Sequence, residues 1–362
     1  MTREELFSAA IPAPDAAACR RAKAHWDRIA KPIDGLGRLE EMICRIAAIE
    51  RQDIPDIRKK GLLLMCADNG VTEEGISQTS QSVTLEVARL MGEGRSSVGI
   101  LTSRCPPAIY AVDIGIRSDE TPEGVLDRKV RKGTANILTG PAMTEQECLQ
   151  AVSAGMEIVR MSREDGCRIL ATGEMGIGNT TTSAALLCAL TGLAPADVTG
   201  RGAGLTDEGL AHKTRVVEKA LSLHLGEMGI SRAVSPAGTL EALRRLGGLD
   251  IAGLTGAFIG AASLEIPIVI DGLISAVAAL AAEQIAPGCR EYMLASHRGR
   301  ERGVMEALRK LELYPVIDAD LALGEGSGAV LLFPMLDMAM SLYTSGTLFR
   351  ETKIETYRRF GS

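Results

Sequence analysis

Short apolar runs that each close on an acid beside a glycine constrain this chain more than any other feature. The first run, LLLMCA at 62–67, leads into Asp68-Asn69-Gly70. Runs at 109–112, 168–172 and 268–270 lead into Asp113-Ile114-Gly115, Gly173-Glu174-Met175-Gly176 and Asp271-Gly272. Amphipathic segments of helical period lie near 82–103, 144–163, 180–192, 206–225 and 273–285. Strands that are apolar throughout, alternating with helices, predict a Rossmann-like parallel sheet with helices on both faces. Such sheets bind ligands beyond the carboxyl ends of their strands. The four acids are therefore expected along one sheet edge, although each taken singly also reads as a helix cap or turn former.

Residues 14–51 read as two helices broken at KPIDGLG, where Pro32, Gly35 and Gly37 interrupt the pattern. The stretch after about residue 300 also looks helical. The expected division is a large α/β unit over 60–300 and a small helical unit built from 1–59 and 301–362. With 46% hydrophobic but only 3% aromatic residues among 362, the core must rest on Ala, Val, Ile, Leu and Met. A net charge of −6 argues against a nucleic-acid partner, which asks for a basic stripe. No apolar stretch reaches about 18 residues without a charge or turn signal, so no membrane span is expected. The opening MTREELFSAAIPAPD carries acids and no signal-peptide core, which points to the cytoplasm. Eight cysteines stand singly, expected as buried free thiols. The four histidines (25, 212, 224 and 297) lack metal-ligand spacing. Neither a metal nor a cofactor is expected.

Three glycine-rich segments carry the chemistry. ATGEMGIGNTT, 171–181, follows a strand and opens a helix, whose free amides and dipole favour an anion. Gly173, Gly176 and Gly178 let the backbone turn and approach a ligand. It is neither a Walker A loop nor GxGxxG. GRGAGL, 200–205, precedes a helix on which Lys213 shares a stripe with Leu210, Val217 and Leu221. A lysine on such a face needs an anion or a path to water, so it reads either as a phosphate cation or as a snorkelling side chain. LTGAFIGAA, with Gly256 and Gly260, is a further candidate for close backbone approach to the anion, and Ser296 for a hydroxyl donor. In LALGEGSGA, 321–329, Glu325 stands between two glycines, bordered by Leu323 and Ala329. Partial loss of solvation there suits a carboxylate to general-base work; the alternative is an acid at a helix start.

KPIDGLGRLE, CADNGVTEEG, ATGEMGIGNTT, GGLDIAGLTGAFIGAA, IVIDGLISAVAAL and LGEGSGA, in this order, closely resemble the nicotinate-nucleotide–dimethylbenzimidazole phosphoribosyltransferase family of cobalamin biosynthesis. The resemblance runs from about residue 10 to 345. It implies a parallel α/β sheet with a small helical domain from both chain ends, assembled as a homodimer. It implies transfer of 5-phosphoribosyl from nicotinate mononucleotide to 5,6-dimethylbenzimidazole, with inversion at the anomeric carbon and no metal. Glu325 would be the proton acceptor. Gly176, Gly202, Lys213, Gly260 and Ser296 would contact phosphate, and Glu174 the ribose. The aromatic base would meet Thr79, Val87, Met175 and Leu323.

One departure stands out. Family members carry Ser and Gln where this chain has Thr79 and Val87. Losing the Gln removes a polar partner for the base or for the catalytic carboxylate, so a less substituted benzimidazole, a purine or a phenol is an expected acceptor too. Two other readings of the same residues are a sensor that binds nicotinate mononucleotide without turnover and a nucleotide-dependent oxidoreductase; the latter lacks GxGxxG with a following ribose acid.

Overall fold

The computed structural model describes residues 1–228 and 235–359; the last three residues of the 301–362 segment lie outside the described residues. Six strands form one parallel sheet: β1 (Lys60–Ala67), β2 (Ala108–Gly115), β3 (Leu126–Asp127), β4 (Ile169–Met175), β5 (Ile268–Ile270) and β6 (Met293–Ala295). Their order is β3-β2-β1-β4-β5-β6, and every pairing is parallel. Two further short strands, β7 (His297–Gly299) and β8 (Ile317–Leu321), pair with each other.

The period-2 alternation of a strand assigns β1 to two cores. Leu63, Met65 and Ala67 enter one apolar cluster, while Leu62, Leu64 and Cys66 enter the other. The first cluster is completed by helices Glu145–Glu164, Asn179–Thr191, Pro236–Leu246, Leu249–Ser263 and Leu273–Ile285. The second is completed largely by Ala16–Trp26, Arg38–Glu50, Ser82–Gly92 and Ser327–Ser345. Helices from both chain ends meet there: the Trp26 and Tyr343 rings lie edge-on at 4.9 Å, and His25 Nε2 lies 2.7 Å from the Tyr343 carbonyl. Helix Ser327–Ser345 is long and apolar enough to cross a membrane, yet it contains Pro334 and buries Val330, Leu332, Phe333 and Leu336 inside the fold.

Three expectations change. The segment expected as one helix over 82–103 is two, Ser82–Gly92 and Ser97–Leu101, because Gly94 turns left-handed and Ser96 caps the second. LTGAFIGAA is no ligand loop but part of the buried helix Leu249–Ser263. Its glycines serve helix packing: a side chain at Gly260 would press on the Met156 backbone at 3.0 Å. Of the eight cysteines, Cys105 is exposed and Cys19 half-buried; the other six are buried.

Candidate active site

The strand order reverses at β1, which has β2 on one side and β4 on the other. The crevice beyond such a switch point is where open α/β sheets bind ligands. All four strand-end acids do sit at this edge, but three are committed to structure. Asp68 accepts the Arg117 amide at 2.8 Å. Asp113 accepts the Ile116 amide at 2.9 Å and pairs with Lys129 at 3.1 Å. Asp271 takes the Ala329 amide at 3.0 Å, at the start of helix Ser327–Ser345. Only Glu174 keeps part of its surface open to the crevice.

Asn179, at the start of the next helix, donates to both Glu174 and, at 2.9 Å, Asp250 Oδ2. Asp250 was not foreseen as a site residue because it ends no strand; the two glycines before it, Gly247 and Gly248, were its only signal. Gly176 is required here: a Cβ would collide with the Ala67 carbonyl and lie 2.6 Å from Asp250 Oδ2. Burial pushes the Glu174 carboxyl up to about 8, reinforced by Asp250 and then by Asp271 and Glu325, with Asn179 opposing. Burial also pushes Asp250 up to about 6, against the Asn179 and Ile251 hydrogen bonds.

These shifts have a stability consequence. Between the ordinary values of 4.5 and 3.8 and the raised ones, the folded chain holds protons that the unfolded chain has released. Stability then falls as pH rises. The unliganded protein is expected to lose thermal stability from about pH 5 to pH 8, and Glu174→Gln to flatten that slope. Thermal melts of both proteins at matched ionic strength test this, and parallel slopes would contradict it.

Next to Glu174 lies a cavity of about 90 Å³ lined by Ser77, Gly176, Asn179, Thr180, Gly202 and Lys213, among others. At roughly 30 Å³ per water it holds about three waters, the scale of a tetrahedral oxyanion. Gly202 adopts φ +53°, and a Cβ there would lie 3.1 Å from Thr180 Oγ1 and 3.3 Å from Lys213 Nζ. Lys213 is 1% exposed and donates to Thr180 Oγ1 at 2.8 Å. Burial lowers its ammonium to about 8, with Glu301 opposing, an energetic cost on the order of 3 kcal/mol. The snorkelling alternative is thereby corrected, since the side chain is buried and its head group ends inside the fold on Thr180 rather than at the surface. Larger cavities lie elsewhere. One of about 780 Å³, lined by Trp26, Cys44 and Arg45 among others, is formed mainly by chain-end helices rather than strand ends.

Glu325 sits across from Glu174. Gly324, Glu325 and Gly326 are all left-handed, at φ +82°, +58° and +76°. Left-handed backbone at a residue with a side chain costs about 1–3 kcal/mol and concentrates at functional sites. The turn presses on β4: a Cβ at Gly173 would lie 2.6 Å from the Gly326 amide nitrogen. One at Gly324 would lie 3.6 Å from Glu174 Oε1. Glu325 Oε2 accepts the Val98 amide at 3.1 Å. A continuous path therefore runs from Lys213 through Thr180, Asn179 and Glu174 to the Gly324–Gly326 turn.

The sequence-predicted set is brought together unevenly. Glu174, Gly176, Gly202, Lys213 and Glu325 converge. Gly260 does not, being locked in helix packing. Ser296 is fully buried, its hydroxyl donating to the Ile270 carbonyl at 2.6 Å and lying 2.9 Å from His297 Nδ1, so it has no free donor for phosphate. Val87 and Met175 pack against the second apolar cluster. Thr79 and Leu323 are exposed, so the single chain does not enclose a base pocket around these four. Residues missed by the sequence reading are Asn179 as a bridge, Thr180, and Ser77 and Gln78 from the loop after Gly75. Gln78 bonds the Gly204 carbonyl.

A doubly wound sheet with a lysine-lined pocket beside raised carboxylates at its switch point is the arrangement of an α/β protein that binds a ligand beyond its strand ends. A family model described as a phosphoribosyltransferase matches residues 11–354, and the chain belongs to that family. It is 40% identical over 358 residues to the nicotinate-nucleotide–dimethylbenzimidazole phosphoribosyltransferase of Ruminiclostridium cellulolyticum, covering 99% of both chains. It is 42% identical to that of Acetivibrio thermocellus, covering 92% of both. The solved structure of the corresponding enzyme from Thermus thermophilus superposes with a TM-score of 0.85 at 37% identity, covering 93% of this chain and 98% of that one.

Proposed function

We propose that the chain transfers 5-phosphoribosyl from nicotinate mononucleotide to 5,6-dimethylbenzimidazole or a related base, yielding an α-ribazole-type 5′-phosphate and nicotinate for the nucleotide loop of cobalamin. It acts in the cytoplasm as a homodimer, with the chain-end segments 1–59 and 301–362 forming a smaller unit beside the 60–300 body. The observation that carries this reading is Glu325, held left-handed between two glycines and aimed by the Val98 amide, at one end of a site whose other end is the Lys213 pocket. Lys213, Gly176 and Gly202 grip the phosphate, and Glu174 faces the ribose. One benzimidazole nitrogen attacks the anomeric carbon, and the bond to the nicotinate ring nitrogen breaks with its electron pair going to that ring. The ring nitrogen of the donor is already cationic, so no acid is needed for departure. The second benzimidazole nitrogen gives its proton to Glu325. The remaining work is orientation, which the phosphate grip supplies. Thr79, Val87, Met175 and Leu323 face the base.

One assay tests the reaction and the acceptor together. Nicotinate mononucleotide with an equimolar mixture of dimethylbenzimidazole, benzimidazole and adenine should release nicotinate and give products resolved by mass. Val87→Gln should shift the product ratio towards dimethylbenzimidazole. No nicotinate release with any base would refute the transferase reading. An unchanged ratio would remove Val87 from the base pocket.

A further inference from the structure

Glu301 is a half-buried acid for which neither the fold nor the reaction has yet supplied a role. It lies in the turn between β7 and helix Gly303–Lys310. Its Oε1 accepts the Gly202 amide at 2.9 Å. Its Oε2 is buried without a hydrogen-bond partner. It presses so closely on Gly200 that any side chain there would collide with it. The neighbouring cations are occupied elsewhere: Arg300 pairs with Asp320 at 2.8 Å, and Arg302 donates to the Ala196 carbonyl at 3.2 Å. A buried carboxylate oxygen left without a hydrogen bond costs free energy, so the retention of Oε2 at the back of the glycine turn calls for a function.

Lys213 is the other half of the arrangement. Around its ammonium, helix Asn179–Thr191 offers Thr180, a neutral acceptor. The 200–205 turn offers Arg201, which is ion-paired with Asp207. The loop after Gly75 offers Ser77 and Gln78. On its own helix, His212 Nε2 lies 2.6 Å from the Glu74 carbonyl. Glu301 is the acid whose charge opposes the burial of the Lys213 ammonium, and it reaches the pocket through the Gly202 amide, beside which the Lys213 head group lies.

We propose that Glu301 is a positioning residue for the phosphate half of the site. It fixes the Gly200–Gly204 turn through the Gly202 amide and supplies the negative charge facing the Lys213 ammonium until a phosphate arrives. The two tasks are separable. A glutamine at 301 keeps an acceptor for the Gly202 amide but removes the charge; an alanine removes both. The inference rests on the assignment of the Lys213 pocket to phosphate.

The experiment is calorimetric titration of nicotinate mononucleotide from pH 7 to pH 10, above the second phosphate ionisation near 6. Parent, Glu301→Gln, Glu301→Ala and Lys213→Met are compared. The parent should bind progressively more weakly as pH rises through the Lys213 value of about 8. Glu301→Gln should bind within about twofold of the parent at pH 7, with its alkaline midpoint lower by about one pH unit, the scale of a lost opposite charge. Glu301→Ala should bind about tenfold more weakly across the range, as expected for one lost hydrogen bond that orders the turn. An alkaline midpoint unchanged in Glu301→Gln, or parental affinity in Glu301→Ala, overturns the role of Glu301 while leaving the pocket assignment intact. Parental affinity in Lys213→Met overturns the assignment and the inference together. Should Glu301→Ala fail to fold, the near-isosteric Glu301→Gln still decides through its midpoint, which a purely structural side chain would not move.

Discussion

Glu325→Gln is expected to lower kcat by about 10²–10⁴-fold, the usual worth of a positioned general base, while nicotinate mononucleotide binds as in the parent. The amide keeps the length of the side chain and an oxygen that can accept the Val98 amide, now 3.1 Å from Oε2. It cannot take the proton that the attacking benzimidazole must lose. A purely structural Glu325 predicts the reverse pattern, with lower thermal stability and near-parental turnover by the folded fraction. Rapid-quench turnover with benzimidazole and a melting curve on one preparation separate the two. Near-parental kcat would remove Glu325 from the mechanism. The acceptor must be a benzimidazole, since a base with no proton to lose would hide the defect.

The parts of the site legible in the sequence were those in which local chemistry and location coincide. Glu174 ends a strand and Glu325 lies between two glycines, so the pattern that places the backbone also exposes the carboxylate. Lys213 was legible from the opposite signal, a charge on an otherwise apolar stripe. Asp68, Asp113 and Asp271 share the strand-end position of Glu174, but their amide and lysine partners come from other segments of the chain. No strand-end rule distinguishes such anchors from a free acid. Gly260 misled for a related reason. Small residues serve close backbone approach both to a ligand and to another helix, and the run around it was apolar enough to be a buried helix. Glu301 could not be foreseen. It lies 99 positions from the Gly202 amide it holds, in a charged stretch, RGRERG, that reads as solvated surface.

Lys213→Met should weaken nicotinate mononucleotide binding at pH 7 by about 10- to 150-fold, the equivalent of losing one charge-assisted hydrogen bond worth about 1.5–3 kcal/mol. Methionine fills the space of the lysine stem, so the effect reports the ammonium rather than a cavity. Binding of the aromatic base alone should be unaffected, because the contact belongs to the phosphate. The unliganded variant should also melt at higher temperature than the parent. An ammonium whose burial lowers it to about 8 is a destabilising element of the folded chain, and an apolar side chain on that stripe relieves the desolvation. The opposite signs are the useful result. A lysine kept for folding would lose stability on substitution and leave nucleotide affinity where it was. A lysine kept for phosphate costs stability in the empty site and returns affinity when the anion is bound. Calorimetry and melting on the same variant settle which it is, and unchanged affinity with a lowered melting temperature would assign Lys213 to the fold.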